Sequence, residues 1–169
     1  MADTNILVMS DTHNNSKAVR QLIDNYYRTK FVFTVIHLGD HIMDIIRNIS
    51  AEEKNEFHLV FGNSDSPLEG YEERIIEIAG KKIFITHGHF HEVKFGTDKI
   101  VYKAKELGVD ACLFGHSHLP TLFEQDGILF LNPGSTTYPP PGQNKGYALL
   151  RISEDGTITG KLLVYKEAL

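Results

Sequence analysis

A single cysteine, Cys112, stands in 169 residues, so no internal disulfide can staple the chain. Its apolar neighbours Ala111 and Leu113 predict a buried, inert thiol. No apolar run approaches the roughly 20 residues of a membrane-spanning helix. The start, Met1-Ala2-Asp3-Thr4-Asn5, lacks the basic end and long apolar stretch of a secretory signal. These absences lead to the expectation of a cytoplasmic protein with no membrane partner. Basic clusters are missing too: the longest is Lys81-Lys82, and 17 basic against 22 acidic residues leave a formal charge of −5. A nucleic-acid polymer is therefore excluded as an expected partner. Small anions are not, because divalent cations in one pocket would dominate the field there. With no repeat, linker or low-complexity segment, and 41% hydrophobic residues to build a core, residues 1–169 are expected to form one domain.

What the chain does have is histidine, nine in all, and their placement carries the argument. In Cys112-Leu113-Phe114-Gly115-His116-Ser117-His118 an apolar run and a glycine lead into two histidines one residue apart. On an extended backbone such residues face the same side, roughly 6 to 7 Å apart. That is awkward for one ion and comfortable for two ions roughly 3.5 to 4 Å apart, each taking one imidazole. Gly115 is expected to free the backbone to turn, with Ser117 as a spacer.

The pattern predicts strands that run into polar loops. Ile6 to Met9 ends at Ser10-Asp11-Thr12-His13, and Ser16 reads as the N-cap of a helix reaching about Tyr27. Phe31 to Leu38 ends at Gly39-Asp40-His41, followed by a short helical pattern from Ile42 to Ile49, and Phe57 to Phe61 ends at Gly62-Asn63-Ser64-Asp65. Hairpins are predicted at Ala79-Gly80-Lys81 and Gln125-Asp126-Gly127, and a helix from Thr97 to Leu107 stopped by Gly108. The arm before His87-Gly88-His89-Phe90-His91 is a strand, Lys82 to Thr86. Two final strands cover Tyr147 to Ile152 and Thr157 to Tyr165. Strands alternating with helices early and paired as hairpins late predict a mixed α/β sheet system with helices outside. Ligand loops of such sheets gather at the carboxyl ends of strands.

Singly, each polar loop fits a bland turn: an isolated D-x-H, G-D or G-N is common. Jointly, five strand ends that each place Asp, His or Asn at the boundary are not a coincidence of turns. Carboxylate, imidazole and amide oxygen without thiolate suit manganese, zinc, iron or nickel. His37 and His58, inside strands, read as core or supporting histidines. His41 and His91 read as solvated loop positions.

The order D-x-H (Asp11, His13), G-D (Gly39, Asp40), G-N-x-D (Gly62, Asn63, Asp65), H-G (His87, Gly88) and G-H-x-H (Gly115 to His118) resembles the calcineurin-like metallophosphoesterases. The likeness runs from Ile6 to Ser135. The short chain and Asn132-Pro133-Gly134-Ser135 are similar to the small bacterial and archaeal phosphodiesterase branch. The resemblance implies a four-layer α-β-β-α sandwich of two mixed sheets. It implies two divalent metal ions, manganese first and zinc, nickel or iron as alternatives. Asp11, His13 and His118 would hold one ion, Asn63, His87 and His116 the other, with Asp40 bridging. Asp65 would orient a neighbouring ligand.

Ser64 departs from the pattern, since many members carry a histidine there to protonate the leaving oxygen, and serine cannot do this near neutral pH. His89 is the candidate for a phosphate contact or a substitute acid, beside Asp40 and Asn63 in the catalytic set. The expected reaction is hydrolysis of a small phosphodiester by a hydroxide bridging the ions. The alternatives are a protein-interaction scaffold like the retromer subunit of this fold, and a phosphomonoesterase. Edge strands and the Tyr138 to Gly142 loop suggest a dimer or tetramer.

Overall fold

The computed structural model describes residues 2–67 and 70–169. The first sheet contains β1 (Thr4–Met9), β2 (Thr34–His37), β3 (Phe57–Leu59), β9 (Gly146–Ile152) and β10 (Ile158–Val164) in the order β10-β9-β1-β2-β3. The second contains β4 (Glu73–Ile78), β5 (Lys81–Thr86), β6 (Ala111–Leu113), β7 (Thr121–Gln125) and β8 (Ile128–Asn132) in the order β4-β5-β6-β8-β7. Each sheet contains three parallel strands: β1-β2-β3 form one side of the first sheet, continued by antiparallel β9 and β10, and β5-β6-β8 form the centre of the second, flanked by antiparallel β4 and β7. The mixed-sheet expectation is met.

Side-chain alternation explains the layers. Along β1, Ile6 and Val8 face the space between the sheets, where they join Ile36, Ile83, Ile85, Leu113, Leu131 and Leu150. Leu7 and Met9 point the other way, onto Ala18, Val19 and Leu22 of α1 (Ser16–Leu22). In the second sheet Phe84, Cys112 and Phe130 face outward onto Ile100, Val101 and Ala104 of α3 (Asp98–Leu107). Central strands are thus buried on both faces, which is why they read as unbroken apolar runs. The result is the four-layer α-β-β-α sandwich. Cys112 is buried, and burial raises its thiol well above the ordinary value. Among the described residues no helix is long and apolar enough to cross a membrane.

The hairpin turns are tight because both central residues are left-handed: Ala79 and Gly80 at φ 48° and 74°, Asp126 and Gly127 at 53° and 75°. Three local expectations are corrected. The cap of α1 is Asn15, whose side chain accepts the Ala18 N–H at 3.1 Å, so the helix begins one residue early. Ser16 instead accepts from Asn48, at 2.8 Å, tying α1 to the segment after α2 (Met43–Ile46). The second strand starts at Thr34, not Phe31, because the N–H groups of Phe31 and Val32 return to the Tyr26 carbonyl and close the preceding helix, which widens after Leu22. Phe31 and Phe33 are consequently exposed.

One polar network is sealed inside these layers. The Gly39 N–H donates to His37 Nδ1 at 3.1 Å, so the ring proton sits on Nε2 and points at Thr12 Oγ1, 3.0 Å away. Thr12 donates in turn to the Asp44 carboxylate at 2.7 Å. This chain joins the loop after β1 to the end of β2 and to α2, and it works with a neutral imidazole. Burial pushes the His37 pKa down to about 4.

The unfolded chain takes up a proton on His37 below about pH 6.5, whereas the folded chain does not until about pH 4. Stability from this residue is therefore complete above 6.5 and declines as pH falls toward 4, by about 3 kcal/mol in total. Urea unfolding with chelator present should show this decline, and His37→Gln should make it shallower, leaving the share that His116 contributes over the same range. An equal slope in the variant would show that His37 is not the group responsible.

Candidate metal centre

The loops leaving β1, β2, β3, β5 and β6 meet at one end of the two sheets, as parallel strands require. Their donors are turned inward by an unusual backbone. Asp11, His13, Asp40, His116 and His118 all adopt left-handed conformations, with φ between 44° and 67°. Each such non-glycine residue stores on the order of 1 kcal/mol or more of strain, which the packed strands on either side hold in place. This corrects the extended-backbone reading of His116 and His118: β6 stops at Leu113, and a bend sets the two rings apart. The role of Gly115 changes as well. It is not left-handed; a Cβ there would run into Ser10 Oγ and Asp11 Oδ2, so its glycine permits close approach of two loops. A Cβ at Gly62 would likewise strike the Asp40 carboxylate.

The seven residues singled out as ligands come together as two adjoining nests. In the first, His13 Nε2 lies 3.1 Å from His118 Nε2, 3.8 Å from Asp11 Oδ1 and 3.6 Å from Asp40 Oδ2. His118 Nε2 is 3.2 Å from Asp11 Oδ1. One donor atom from each of these four residues lies within 4.8 Å of the others. In the second, His87 Nε2 lies 3.1 Å from Asn63 Oδ1, 3.2 Å from His116 Nδ1 and 3.5 Å from Asp40 Oδ1. Asp40 thus turns one oxygen to each nest.

Hydrogen bonds on the far side of the rings decide which nitrogens face inward. His118 Nδ1 sits 2.7 Å from the Tyr138 carbonyl and His87 Nδ1 sits 2.6 Å from the Leu38 carbonyl. Carbonyls only accept, so both Nδ1 atoms carry protons and both Nε2 lone pairs are presented to the nests. Asp11 Oδ1 is buried there with no hydrogen-bond partner among the described residues. Lone pairs and a buried carboxylate oxygen gathered at these spacings repel one another unless a cation lies between them. Donors about 2.0 to 2.2 Å from a common ion would stand about 3 to 3.6 Å apart, so the donor set fits borderline divalent metals.

Where no cation lies between them, the carboxylates and imidazoles shift one another instead. Burial alone raises the Asp11 carboxyl, but the His118 and His13 side chains outweigh it and hold it far below the usual carboxylate range. Burial also raises Asp40, yet the His87 side chain and the Ser64 N–H hold it at about 2. Burial lowers His87 and His118, but the Asp40 carboxylate on one and the Asp11 carboxylate on the other win and raise both. Burial, His87 and Lys94 together push His116 down to about 4.

Asp65 lies outside the nests and braces them. Its carboxylate accepts four backbone N–H groups, from Asp40 at 2.8 Å, His41 at 2.7 Å, Ile42 at 3.1 Å and Gly62 at 2.8 Å. The Ser64 N–H donates to Asp40 Oδ1 at 3.0 Å. Ser117 is more than a spacer, since its Oγ accepts from Asn132 at 2.9 Å. Ser135 donates to the Asp11 carbonyl at 2.7 Å, and so the Asn132 to Ser135 loop clamps the Asp11 loop from outside.

The His89 ring centre stands 5.4 Å from that of His87 and 6.0 Å from that of His116, at the rim of the second nest. Burial and His87 lower its pKa. His91 is not solvated as expected: its Nε2 meets Glu73 at 2.5 Å. His41 lies at the rim of the first nest, its ring centre 5.5 Å from that of His13. His58 is half-buried in β3. Asp44 and the Tyr138 carbonyl were missed by sequence reasoning, and no local signal marks either one.

The model of the calcineurin-like phosphoesterase superfamily domain matches residues 4–155. A probable metallophosphoesterase of Bacillus subtilis, YsnB, is 31% identical over 151 residues, covering 89% of this chain and 86% of its own. Phosphodiesterase MJ0936 of Methanocaldococcus jannaschii is 32% identical over 142 residues, covering 75% of this chain and 81% of its own. The solved structure of vacuolar protein sorting 29 from Cryptosporidium parvum shares the fold with a TM-score of 0.73 at 20% identity, covering 96% of this chain and 98% of that one. Two mixed sheets with the donors of five loops at their shared end, and a match over residues 4–155, place the chain in the calcineurin-like phosphoesterase superfamily.

Proposed function

We propose that the chain, working as one domain over residues 1–169, is a phosphodiesterase that uses two divalent ions, manganese first and zinc, nickel or iron as alternatives. The observation that carries this reading is Asp40, with Oδ2 3.6 Å from His13 Nε2 and Oδ1 3.5 Å from His87 Nε2. One ion would be held by Asp11, His13 and His118, the other by Asn63, His87 and His116, with Asp40 shared. Such a pair supplies a water with its pKa lowered to about 7 and a positive charge for the phosphate oxygens.

The chain's own residues do the positioning. Asp65 and the Ser64 N–H fix the Asp40 loop, while the Tyr138 and Leu38 carbonyls fix His118 and His87. Asn63 adds a neutral donor and so limits the negative charge that the site collects. Ser64 has no acidic proton for the leaving oxygen. His89, at the rim of the second nest, is placed for a phosphate contact.

A scaffold role is the second reading, favoured by the fold shared with vacuolar protein sorting 29. The complete donor set weighs against it, because selection for docking alone has no use for strained donors. A phosphomonoester carries one more charge and calls for cationic clamps. The five donor loops contain no arginine, which favours diesters.

Protein stripped with a chelator should be inactive toward bis(p-nitrophenyl) phosphate and regain turnover with manganese, zinc, nickel or iron. No bound metal and no turnover with any of them would sink the enzyme reading. Asp40→Asn should lower turnover at least about 100-fold in folded protein. Asp65→Asn, by loosening the loop, should weaken metal affinity about 10- to 100-fold in titration calorimetry. Without an acid, rates across a series of aryl esters should fall steeply as the leaving-group pKa rises. A flat series would mean that a proton donor such as His89 acts after all.

A further inference from the structure

Two exposed aromatic rings stand near the candidate metal centre, Tyr138 beside the first nest and Phe90 one ring removed from the second, next to His89. Tyr138 is 60% exposed and its ring centre lies 5.5 Å from that of His13. Phe90 is 53% exposed and its ring is tilted against that of its neighbour His89, with ring centres 3.9 Å apart, and His89 borders His87 and His116. A lone exposed aromatic is ordinary on a protein surface. The mounting of these two is not.

The Tyr138 N–H donates to Ser135 Oγ at 2.8 Å, and its carbonyl takes the His118 Nδ1 proton at 2.7 Å. Ser135 itself holds the Asp11 carbonyl. The ring is therefore carried by the same hydrogen bonds that orient the donors, and Pro139, Pro140 and Pro141 stiffen the chain beyond it. Phe90 sits in a tight turn, His89–His91, entered through left-handed Gly88 and closed by a bond from the His91 N–H to the Gly88 carbonyl at 3.0 Å. The His91 pair with Glu73 pins the turn from below. The backbone under both rings is held in place before any ligand arrives, so on stacking only the side-chain torsions of each ring remain to be settled. They leave an aromatic face open to solvent within a ring or two of the donors.

We infer that Tyr138 and Phe90 select phosphodiesters that carry planar aromatic groups, nucleosides or aryl rings, on their ester oxygens. This rests on the phosphodiesterase reading above and names its substrate class. The phosphate lies over the two nests, and the ester groups extend outward across one ring or the other. Stacking of a base on an aromatic side chain accounts for about 5- to 100-fold in affinity.

The test compares three diesters with one leaving group: the methyl, phenyl and 5′-thymidine esters of p-nitrophenyl phosphate. For each, kcat/KM with manganese is divided by its rate in hydroxide alone, which removes differences in intrinsic reactivity. The expected result is a phenyl or thymidine ester preferred over the methyl ester by about 5- to 100-fold. That preference should fall at least fivefold in Phe90→Ala, in Tyr138→Ala or in the double variant, and Tyr138→Phe should keep it. Ratios are taken within each variant, so a general loss of rate cancels; a merely structural role lowers all three esters alike. Thymidine above phenyl identifies nucleosides, and phenyl above thymidine identifies simple aryl esters. Equal values for the three esters, or a preference that survives both alanine substitutions, overturns the aromatic selection alone. Turnover of none of them with any of the four metals overturns the phosphodiesterase reading and this one with it.

Discussion

Two buried carboxylates and several imidazole lone pairs converge on one small volume, and their mutual repulsion is the constraint around which the rest of this molecule is arranged. Asp11 is fully buried and keeps one oxygen without a hydrogen-bond partner among the described residues. An arrangement of this kind relaxes outward unless the surroundings prevent it. Here the surroundings are backbone groups: four N–H donors on Asp65 hold the Asp40 and Gly62 loops, the Leu38 and Tyr138 carbonyls hold two rings, and Ser135 holds the Asp11 carbonyl. The strain is carried by the left-handed donor residues themselves, at the ends of packed strands that cannot yield.

The sheets make this possible because each contains three parallel strands. Strands β1, β2 and β3 of one sheet and β5, β6 and β8 of the other send their carboxyl ends the same way within each sheet. Both faces of these strands are needed for packing, one against the other sheet and one against helices. Polar chemistry has no place along such strands and is displaced to their ends. The rigid core and the concentration of donors are thus two results of one pattern.

The same pattern explains what could be read without the structure. Strands buried on both faces announce themselves as apolar runs, as at Ile6 to Met9 and Ile128 to Leu131, and Asp126-Gly127 marks its hairpin by turn chemistry alone. The donors were legible because each follows such a run. What was not legible depends on partners distant in sequence. Glu73 captures His91 across 18 positions, Asp44 receives Thr12 across 32, and Tyr138 meets His118 across 20. Phe31 reads as strand because nothing local shows that its N–H is already committed to Tyr26. The bend at His116 and His118 was misread for a related reason: periodicity describes a run of residues, and a run of three past the end of β6 has none.

Ser64 shows how far backbone and side-chain roles can be separated in such a site. The loop from Gly62 to Asp65 does its bracing through main-chain groups, the Gly62 N–H on Asp65 and the Ser64 N–H on Asp40. Neither bond depends on which side chain occupies position 64, so a residue other than histidine leaves the Asp40 carboxylate held as before. Asn63, the one side chain of this loop within reach of His87, is unaffected as well. Replacing an acid at this position therefore alters what leaving groups the site can expel without altering how it holds cations. On the proposed phosphodiesterase reading, that separation favours esters whose oxygens leave unaided, and aryl groups would be both good leaving groups and flat surfaces for the rings of Tyr138 and Phe90.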